Sequence, residues 1–351
     1  MFINNKTFAV ESVTSGHPDK ICDQISDAVL DECLRQDPTS RVAIESFGGH
    51  GLVLVCGELT TNAKINAKKI AEKVYRDIGH TDVIKIITNI VTQSPDIAQG
   101  VDTGGAGDQG IMYGYACNET KEFLPKALVQ VHALAAGLEK LRRENTEFAW
   151  MKPDGKTQIT VKNKKTDSVL VSCQHSEEVS QEKIAKLLKK HLIEPIMGDI
   201  KNAEILVNPT GRFVQGGFEA DTGLTGRKIM VDTYGGLIPH GGGCFSGKDA
   251  TKVDRSAAYM ARFAAKNIVA NGFAKRCLVS VAYAIGRVEP LMVEAINEEG
   301  KSLAKLVQKH FDFRPKAIIE RLDLRRPIYS QTAAYGHFGK AGLPWEEVVK
   351  I

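Results

Sequence analysis

Val169-Leu-Val-Ser-Cys-Gln-His-Ser-Glu-Glu-Val-Ser-Gln-Glu-Lys-Ile-Ala-Lys-Leu-Leu-Lys-Lys-His-Leu192 is the stretch that decides the fold. Val169 to Val171 is a short valine-rich strand signal, and a polar stretch follows it. Ile184, Leu187, Leu188 and Leu192 then recur at i, i+3, i+4 and i+8. That spacing lays an apolar stripe along one face of a helix, suited to covering a sheet. The same order occurs twice more. Leu52 to Val55 precedes Ile70, Val74 and Ile78, and Leu278 to Val281 precedes Leu303, Leu306, Val307 and Phe311. Recurrence at roughly 110 to 120 residues is the mark of internal repetition. It predicts an α+β fold of three similar sheet-plus-helix units with pseudo-threefold repetition. The units are expected over 1–98, 99–214 and 215–351, with strands interleaved between them.

Two further helices are signalled by their ends. Pro18 suits a first helical position, Asp19 favours the positive end of the helix dipole, and Ile21, Ile25, Ala28 and Val29 form a buried stripe to about Leu34. Asp23 and Asp27 share a face with Asp19 and read as a solvated stripe. The second helix spans Val253 to Ala270 and stops near Gly272, with Tyr259, Phe263 and Ile268 among its apolar positions.

At 351 residues, 43% hydrophobic and 25% charged, the chain has material for a sizeable core. A net charge of +4 gives no support to a nucleic-acid or membrane-surface role. Seven scattered cysteines without a CxxC pair fit neither a disulfide framework nor a zinc site. The first ten residues lack an apolar leader core, and no apolar run approaches the roughly 18 residues that cross a membrane. A reduced, cytoplasmic protein is expected.

The densest chemical signal runs from Asp232 to Asp249, through His240-Gly-Gly-Gly-Cys-Phe-Ser-Gly-Lys248. Glycines let backbone N–H groups approach an anion, and the helix that follows offers its positive end. Lys248, Lys252 and Arg255 stand beside it, which points to phosphate. Gly242 to Lys248 matches G-x4-G-K, yet Asp249 occupies the place a P-loop gives to Ser or Thr, and Pro239 breaks the strand that should lead in. Arg227 and Lys228 precede Ile229 to Val231, read as an apolar strand. Asp19 and Asp254, near helix starts, are hard oxygen donors of the kind Mg²⁺ takes alongside phosphate and water. His17 falls in the turn before the first helix. Gly105-x-Gly107-x-x-Gly110 matches a dinucleotide fingerprint but is followed by the strand-like Ile111-Met-Tyr-Gly-Tyr115 where that fingerprint needs a helix. His240-Gly-Gly-Gly has no G-x-S-x-G elbow to accompany it as an oxyanion loop.

Gly16-His-Pro-Asp-Lys20, Gly105-Ala-Gly-Asp-Gln-Gly110, Asn208-Pro-Thr-Gly-Arg-Phe213, Gly223-Leu-Thr-Gly-Arg-Lys228, His240 to Asp249 and Ala334-Tyr-Gly-His-Phe-Gly339 together resemble the signatures of the S-adenosylmethionine synthetases, from residue 8 to about 347. The resemblance implies interleaved domains about a pseudo-threefold axis and a homodimer, often paired into a homotetramer, with active sites shared between subunits. It implies a methionine adenosyltransferase that joins ATP to L-methionine at C5′ and then cleaves tripolyphosphate to pyrophosphate and phosphate. By position, Asp19 and Asp254 would meet Mg²⁺, two ions per site, and Glu45 a K⁺ ion. Lys156, Arg227, Lys228, Lys248 and Lys252 would hold the triphosphate, and Lys252 would also reach methionine. Glu58, Gln93 and Asp221 would position methionine and adenosine, while Asp108, Asp154, Arg212 and Phe213 would line the nucleoside pocket. His17 would sit by the 5′ oxygen. Three features depart from the family. The stretch from Gln93 to Gly105 is shorter, Cys244 replaces a small residue near ATP, and Ser46 to His50 differs beside Glu45. The competing readings are an ATP-dependent kinase with a degenerate phosphate loop, which would release ADP, and a nucleotide-binding regulator that would leave ATP unchanged.

Overall fold

The structure is a computed structural model that describes residues 7–92 and 104–351. The first unit runs β1 (Thr7–Val13), α1 (Pro18–Gln36), β2 (Arg41–Gly49), β3 (Leu52–Thr60), α2 (Ala67–Ile78) and β4 (Lys85–Val91). The second runs β5 (Gly110–Cys117), α3 (Lys126–Glu144), β6 (Met151–Lys162), β7 (Lys165–His175), α4 (Gln181–Leu188) and β8 (Glu204–Val207). The third runs β9 (Gly223–Leu224), α5 (Ile229–Asp232), α6 (Val253–Ala270), β10 (Arg276–Tyr283), β11 (Met292–Asn297), α7 (Ala304–His310) and α8 (Pro315–Arg321).

Local chemistry explains the common plan. The hairpins β2–β3 and β6–β7 turn through His50–Gly51 and Asn163–Lys164, all four at positive φ, the conformation whose twist matches that of the flanking strands. Val42, Ile44, Val53 and Val55 alternate inward, as a sheet covered on one face requires. Asn66 caps α2 by accepting from Lys69 N at 3.0 Å, and Gly79, at φ 111°, ends it. Ser180 caps α4 in the same way. The long helices α1, α3 and α6 each precede a hairpin and pack on the sheet it forms.

The three sheets have the orders β9-β2-β3-β4, β1-β6-β7-β8 and β5-β10-β11. Each hairpin therefore carries an extra antiparallel strand on its first arm. That strand comes from a neighbouring unit. β1 leads into the helix of the first unit but pairs in the second, β5 belongs to the second but pairs in the third, and β9 belongs to the third but pairs in the first. The exchange closes a ring. β4 and β8 then lie parallel to β3 and β7, while β11 has no such neighbour among the described residues.

The repetition expected from sequence is present, with one shift of register. Leu52–Val55 and Val169–Val171 lie in second hairpin arms, whereas Leu278–Val281 lies in β10, a first arm. Helix α6 has the expected ends, and Ile111 to Tyr115 is the expected strand. Ile229 to Val231 is not a strand but the start of the helical turn α5. Asp232 N donates to Lys228 O at 3.0 Å and Gly235 N to Met230 O at 2.9 Å, which curls three apolar residues too few to fill a strand of their own. No helix among the described residues is long and apolar enough to cross a membrane.

Candidate active site

The site is built at the start of α1. Thr14 N donates to Gly155 O at 3.0 Å, so β1 delivers the turn Thr14–His17 against β6. Gly16 is packed against Pro153, where any Cβ would clash. His17 is the N-cap of α1. Its Nδ1 accepts from Asp19 N at 3.2 Å, and the ring is 2% exposed. Burial, reinforced by the charges of Lys228 and Lys156, lowers its pKa to about 2, so the imidazole is neutral. With Nδ1 accepting, the hydrogen of the neutral ring sits on Nε2.

Asp19, fully buried, gathers the cations. Oδ1 accepts from Leu224 N at 3.0 Å and faces Arg227 Nε at 3.2 Å, while Oδ2 accepts from Lys228 Nζ at 2.5 Å. Arg227 is half exposed. Lys156, exposed on β6, and Asp221 are both close enough to act on His17 electrostatically. Asp154 lies two residues from Lys156, and its Oδ2 accepts from Gly217 N at 2.9 Å. Its Oδ1 is buried and has no hydrogen-bond partner among the described residues, an acceptor left open in the site. Burial raises the Asp154 pKa to about 6, against the pull of the Gly217 N–H. Arg212 pairs at the surface with Glu177 at 2.8 Å. Phe213 pairs with His175, one residue from Gln174, whose Oε1 meets Asp154 N at 3.4 Å. Arg212 and Phe213 thus end near Asp154.

A second cationic group surrounds the glycine loop. Lys248 Nζ donates to Asp254 Oδ2 at 2.5 Å and Lys252 Nζ to Asp249 Oδ2 at 2.6 Å. Burial works against the charge of Lys248, but Cys244 and Asp254 outweigh it and raise its pKa. Burial raises that of the Cys244 thiol. Asp108 is exposed and accepts from Gln109 N at 2.7 Å, and the following Gly110 lies beside Asp254. Both groups dock along one edge of β2. Gly223 and Leu224 pair with Gly48 and Phe47, while Ile44 N donates to Gly247 O and Asp249 N to Val42 O, each at 3.0 Å. The groups meet where Gly226 packs against Cys244, whose Sγ would lie 2.8 Å from a Cβ at position 226. Among the described residues no strand leads directly into the glycine loop, so a P-loop has no support in the fold.

Two further candidates stand elsewhere. Glu58 pairs across from Ala43 on the face of the sheet turned away from α1, and Glu45 is exposed on that face opposite Cys56. Gln93 lies outside the described residues. A cavity of 790 Å³, lined among others by Leu34, Arg41, Asp249, Thr251 and Ile319, contains none of the expected site residues. Arg255, read from sequence as a phosphate cation, is instead fully buried and holds Asp27 with two bonds of 2.6 and 2.9 Å. Asp23 and Asp27 are likewise buried, not solvated. Asp23 accepts from Lys20 Nζ at 2.9 Å, and Lys20 also reaches Asp232. The missed signal was the repetition of like charge at four-residue intervals, which destabilises a helix unless something neutralises it. Among the described residues no three metal-ligating side chains cluster. Asp19 lies between Arg227 and Lys228, and Asp254 beside Lys248.

Cation-bearing loops at a helix start, inside a ring of three strand-exchanging units, define an α+β protein with clustered cations of the kind that suit an anion. Comparison with known proteins narrows this. The N-terminal, central and C-terminal domains described for S-adenosylmethionine synthetase match residues 5–95, 103–213 and 215–347. The chain is 49% identical to the S-adenosylmethionine synthase of Mesoplasma florum, over 99% of this chain and 98% of that one. It is 47% identical to the S-adenosylmethionine synthase of Staphylococcus epidermidis, over 100% and 98%. The chain belongs to the S-adenosylmethionine synthetase family.

Proposed function

We propose that the sulfur of L-methionine attacks C5′ of ATP in this site, that the C5′–O bond breaks and the whole triphosphate leaves, and that water then hydrolyses the tripolyphosphate to pyrophosphate and phosphate. The synthesis of S-adenosylmethionine is the activity of the family, and the residue roles here are our reading. The observation that carries them is the neutral, buried His17 close to the charges of Lys156 and Lys228, with Arg227 on the adjoining Asp19. A thioether has no proton to lose, so the reaction needs no general base. The difficulty is the negative charge that builds on the bridging oxygen, and preorganised donors aimed at it are the expected catalysts. His17 Nε2–H donates to that oxygen. Lys156, Arg227, Lys228, Lys248 and Lys252 hold the three phosphates.

Asp154, with its open Oδ1, takes a nucleoside hydroxyl, and Asp108, Arg212 and Phe213 complete that pocket beside Cys244. Asp221, Glu58, Gln93 and Lys252 position methionine. Asp19 and Asp254 fit Mg²⁺ that draws its remaining ligands from phosphate and water, and such ions neutralise phosphate charge. Glu45 would hold K⁺.

One chain supplies only part of this arrangement, because Glu58 and Glu45 face away from α1. The same face displays Phe47, Leu224, Ile87 and Val91, each between 37% and 56% exposed. An apolar sheet face of this kind suits a second copy of the chain, and a homodimer, alone or paired into a tetramer, would complete each site across that contact. The test is to incubate the protein with ATP, methionine, Mg²⁺ and K⁺ and analyse the products by mass. S-adenosylmethionine with pyrophosphate and phosphate is expected. ADP without the sulfonium, or unchanged ATP, would sink the reading.

A further inference from the structure

We propose that Asp23 and Asp27 are positioning residues for the reaction: with Asp19 they form a carboxylate ladder along α1 that holds both cation-bearing loops and fixes where Arg227, Lys228 and Lys248 stand. The inference rests on the assignment of those cations to the triphosphate.

The rungs recur every fourth residue, about 6 Å apart along the axis at 1.5 Å per residue. Each takes one backbone N–H from a loop. Asp19 Oδ1 accepts from Leu224 N at 3.0 Å, Asp23 Oδ1 from Gly226 N at 2.8 Å, and Asp27 Oδ1 from Gly247 N at 2.9 Å. Between the rungs, Ser26 Oγ lies 2.8 Å from Thr225 Oγ1 and 2.9 Å from Ser46 Oγ. Residues 224, 225 and 226 are thus pinned in succession, with Arg227 and Lys228 immediately after them. Gly247 is pinned one residue before Lys248, whose carbonyl also accepts from Arg255 Nη1 at 3.2 Å.

The pinned glycines have no slack on their other side. Gly226 and Gly247 have φ of +76° and +80°, and a Cβ at either would clash, with Cys244 in one case and Ile44 O in the other. The three carboxylates are fully buried. Replacing a buried ion pair by apolar side chains of similar volume is often neutral or stabilising, so stability alone does not call for them. Fixing the register of two loops does. A displacement of about 1 Å in a site of this kind can cost roughly 10²-fold in rate, even when its source is remote from the chemistry.

The full-length enzyme tests this. In Asp23→Asn the side-chain oxygen can still accept the Gly226 N–H, whereas Asp23→Ala loses it. The expected result is a kcat lowered about 10- to 100-fold in Asp23→Ala, with the KM for methionine unchanged and most of the rate restored in Asp23→Asn. For the second loop, Asp27→Asn and Asp27→Ala are compared in an Arg255→Gln background, where no guanidinium is left unpaired, and the same difference is expected. A folded Asp23→Ala enzyme with wild-type kcat, or equal losses in the Asn and Ala variants, overturns the proposal. Should Asp23→Ala not fold, Ser26→Ala decides. It removes no charge, and a lowered kcat at unchanged methionine KM supports the ladder while a wild-type kcat overturns it. A wild-type enzyme that makes no S-adenosylmethionine would instead sink the assignment of function.

Discussion

Replacing His17 separates two roles that one ring performs. As N-cap, its Nδ1 satisfies Asp19 N, a contact worth about 1 kcal/mol when such a residue is truncated to alanine. As the proposed donor, Nε2–H would face the oxygen that leaves, and losing one donor of that kind costs about 10²- to 10³-fold in kcat, or roughly 3 to 4 kcal/mol. Asparagine is itself a good cap but does not carry its donor where Nε2 stands. His17→Asn should therefore keep the Tm near that of the wild type while kcat falls by about two to three orders of magnitude. His17→Ala should show the same loss of rate together with a lowered Tm. The assay is the steady-state rate of S-adenosylmethionine formation at saturating ATP and methionine, beside a thermal melt of each variant. The pH profile adds a second constraint. Because burial and the neighbouring lysines hold the His17 pKa near 2, the ring is neutral throughout the working range and contributes no acid limb. A wild-type limb between pH 6 and 7 that vanishes in His17→Asn would refute the neutral-donor role, as would a His17→Asn enzyme with unimpaired kcat.

Lys248→Ala should mainly depress kcat if its ammonium meets the phosphates as proposed, whereas Glu58→Ala should mainly raise the KM for methionine; equal effects of either change on both apparent affinities would contradict these roles. Asp154, with a pKa raised to about 6 by burial, loses its acceptor charge as the pH falls through 6. The KM for ATP should rise below that pH in the wild type and stay level in Asp154→Asn, as initial-rate measurements at pH 5.5 and 8 would reveal. Arg255→Met leaves Asp27 as an uncompensated buried charge, which typically costs about 3 to 5 kcal/mol. A sharply lowered Tm is expected, and an undiminished Tm with a raised KM for ATP would restore the phosphate role first read from sequence.

How far the sequence could be read follows from what each pattern reports. Apolar periodicity reports which face of an element meets a sheet, so the three units were legible from Ile184, Leu187 and Leu188 and their counterparts, and two of the three long helices, α1 and α6, from stripes of their own, whereas α3 was not read. Glycine and lysine spacing reports loop chemistry, so the cationic turns at Arg227–Lys228 and Gly247–Lys248 were legible too. Periodicity says nothing about a polar face that is buried by something other than a sheet. Helix α1 is covered on a second side by loops from more than 200 positions downstream, through Asp23–Gly226 and Asp27–Gly247, and only those contacts turn an acidic stripe into a buried one. Three apolar residues, Ile229 to Val231, were too few to tell strand from helical turn. At the end of that turn Asp232 accepts from Lys20, a contact which no local window contains.

The exchange of strands around the ring is what makes such distant contacts reliable. β9 is only two residues long, yet by pairing Gly223–Leu224 with Gly48–Phe47 it carries Arg227 and Lys228 of the third unit to the start of α1 in the first. β1 runs from the sheet of the second unit into the turn that ends at His17, which brings the neutral imidazole within reach of the charge of Lys156 on β6. β5 begins at Gly110, so its pairing with β10 seats Gly110, two residues after Asp108, beside Asp254 of the third unit. In each case the chemistry-bearing residues sit within four positions of a strand end that belongs to another unit's sheet. Had each unit kept its own edge strand, His17, Lys156 and Lys228 would have been distributed among three separate sheets. The exchange is therefore the physical reason that a threefold-repeated chain gathers one set of cations around Asp19 instead of repeating a weak anion site three times.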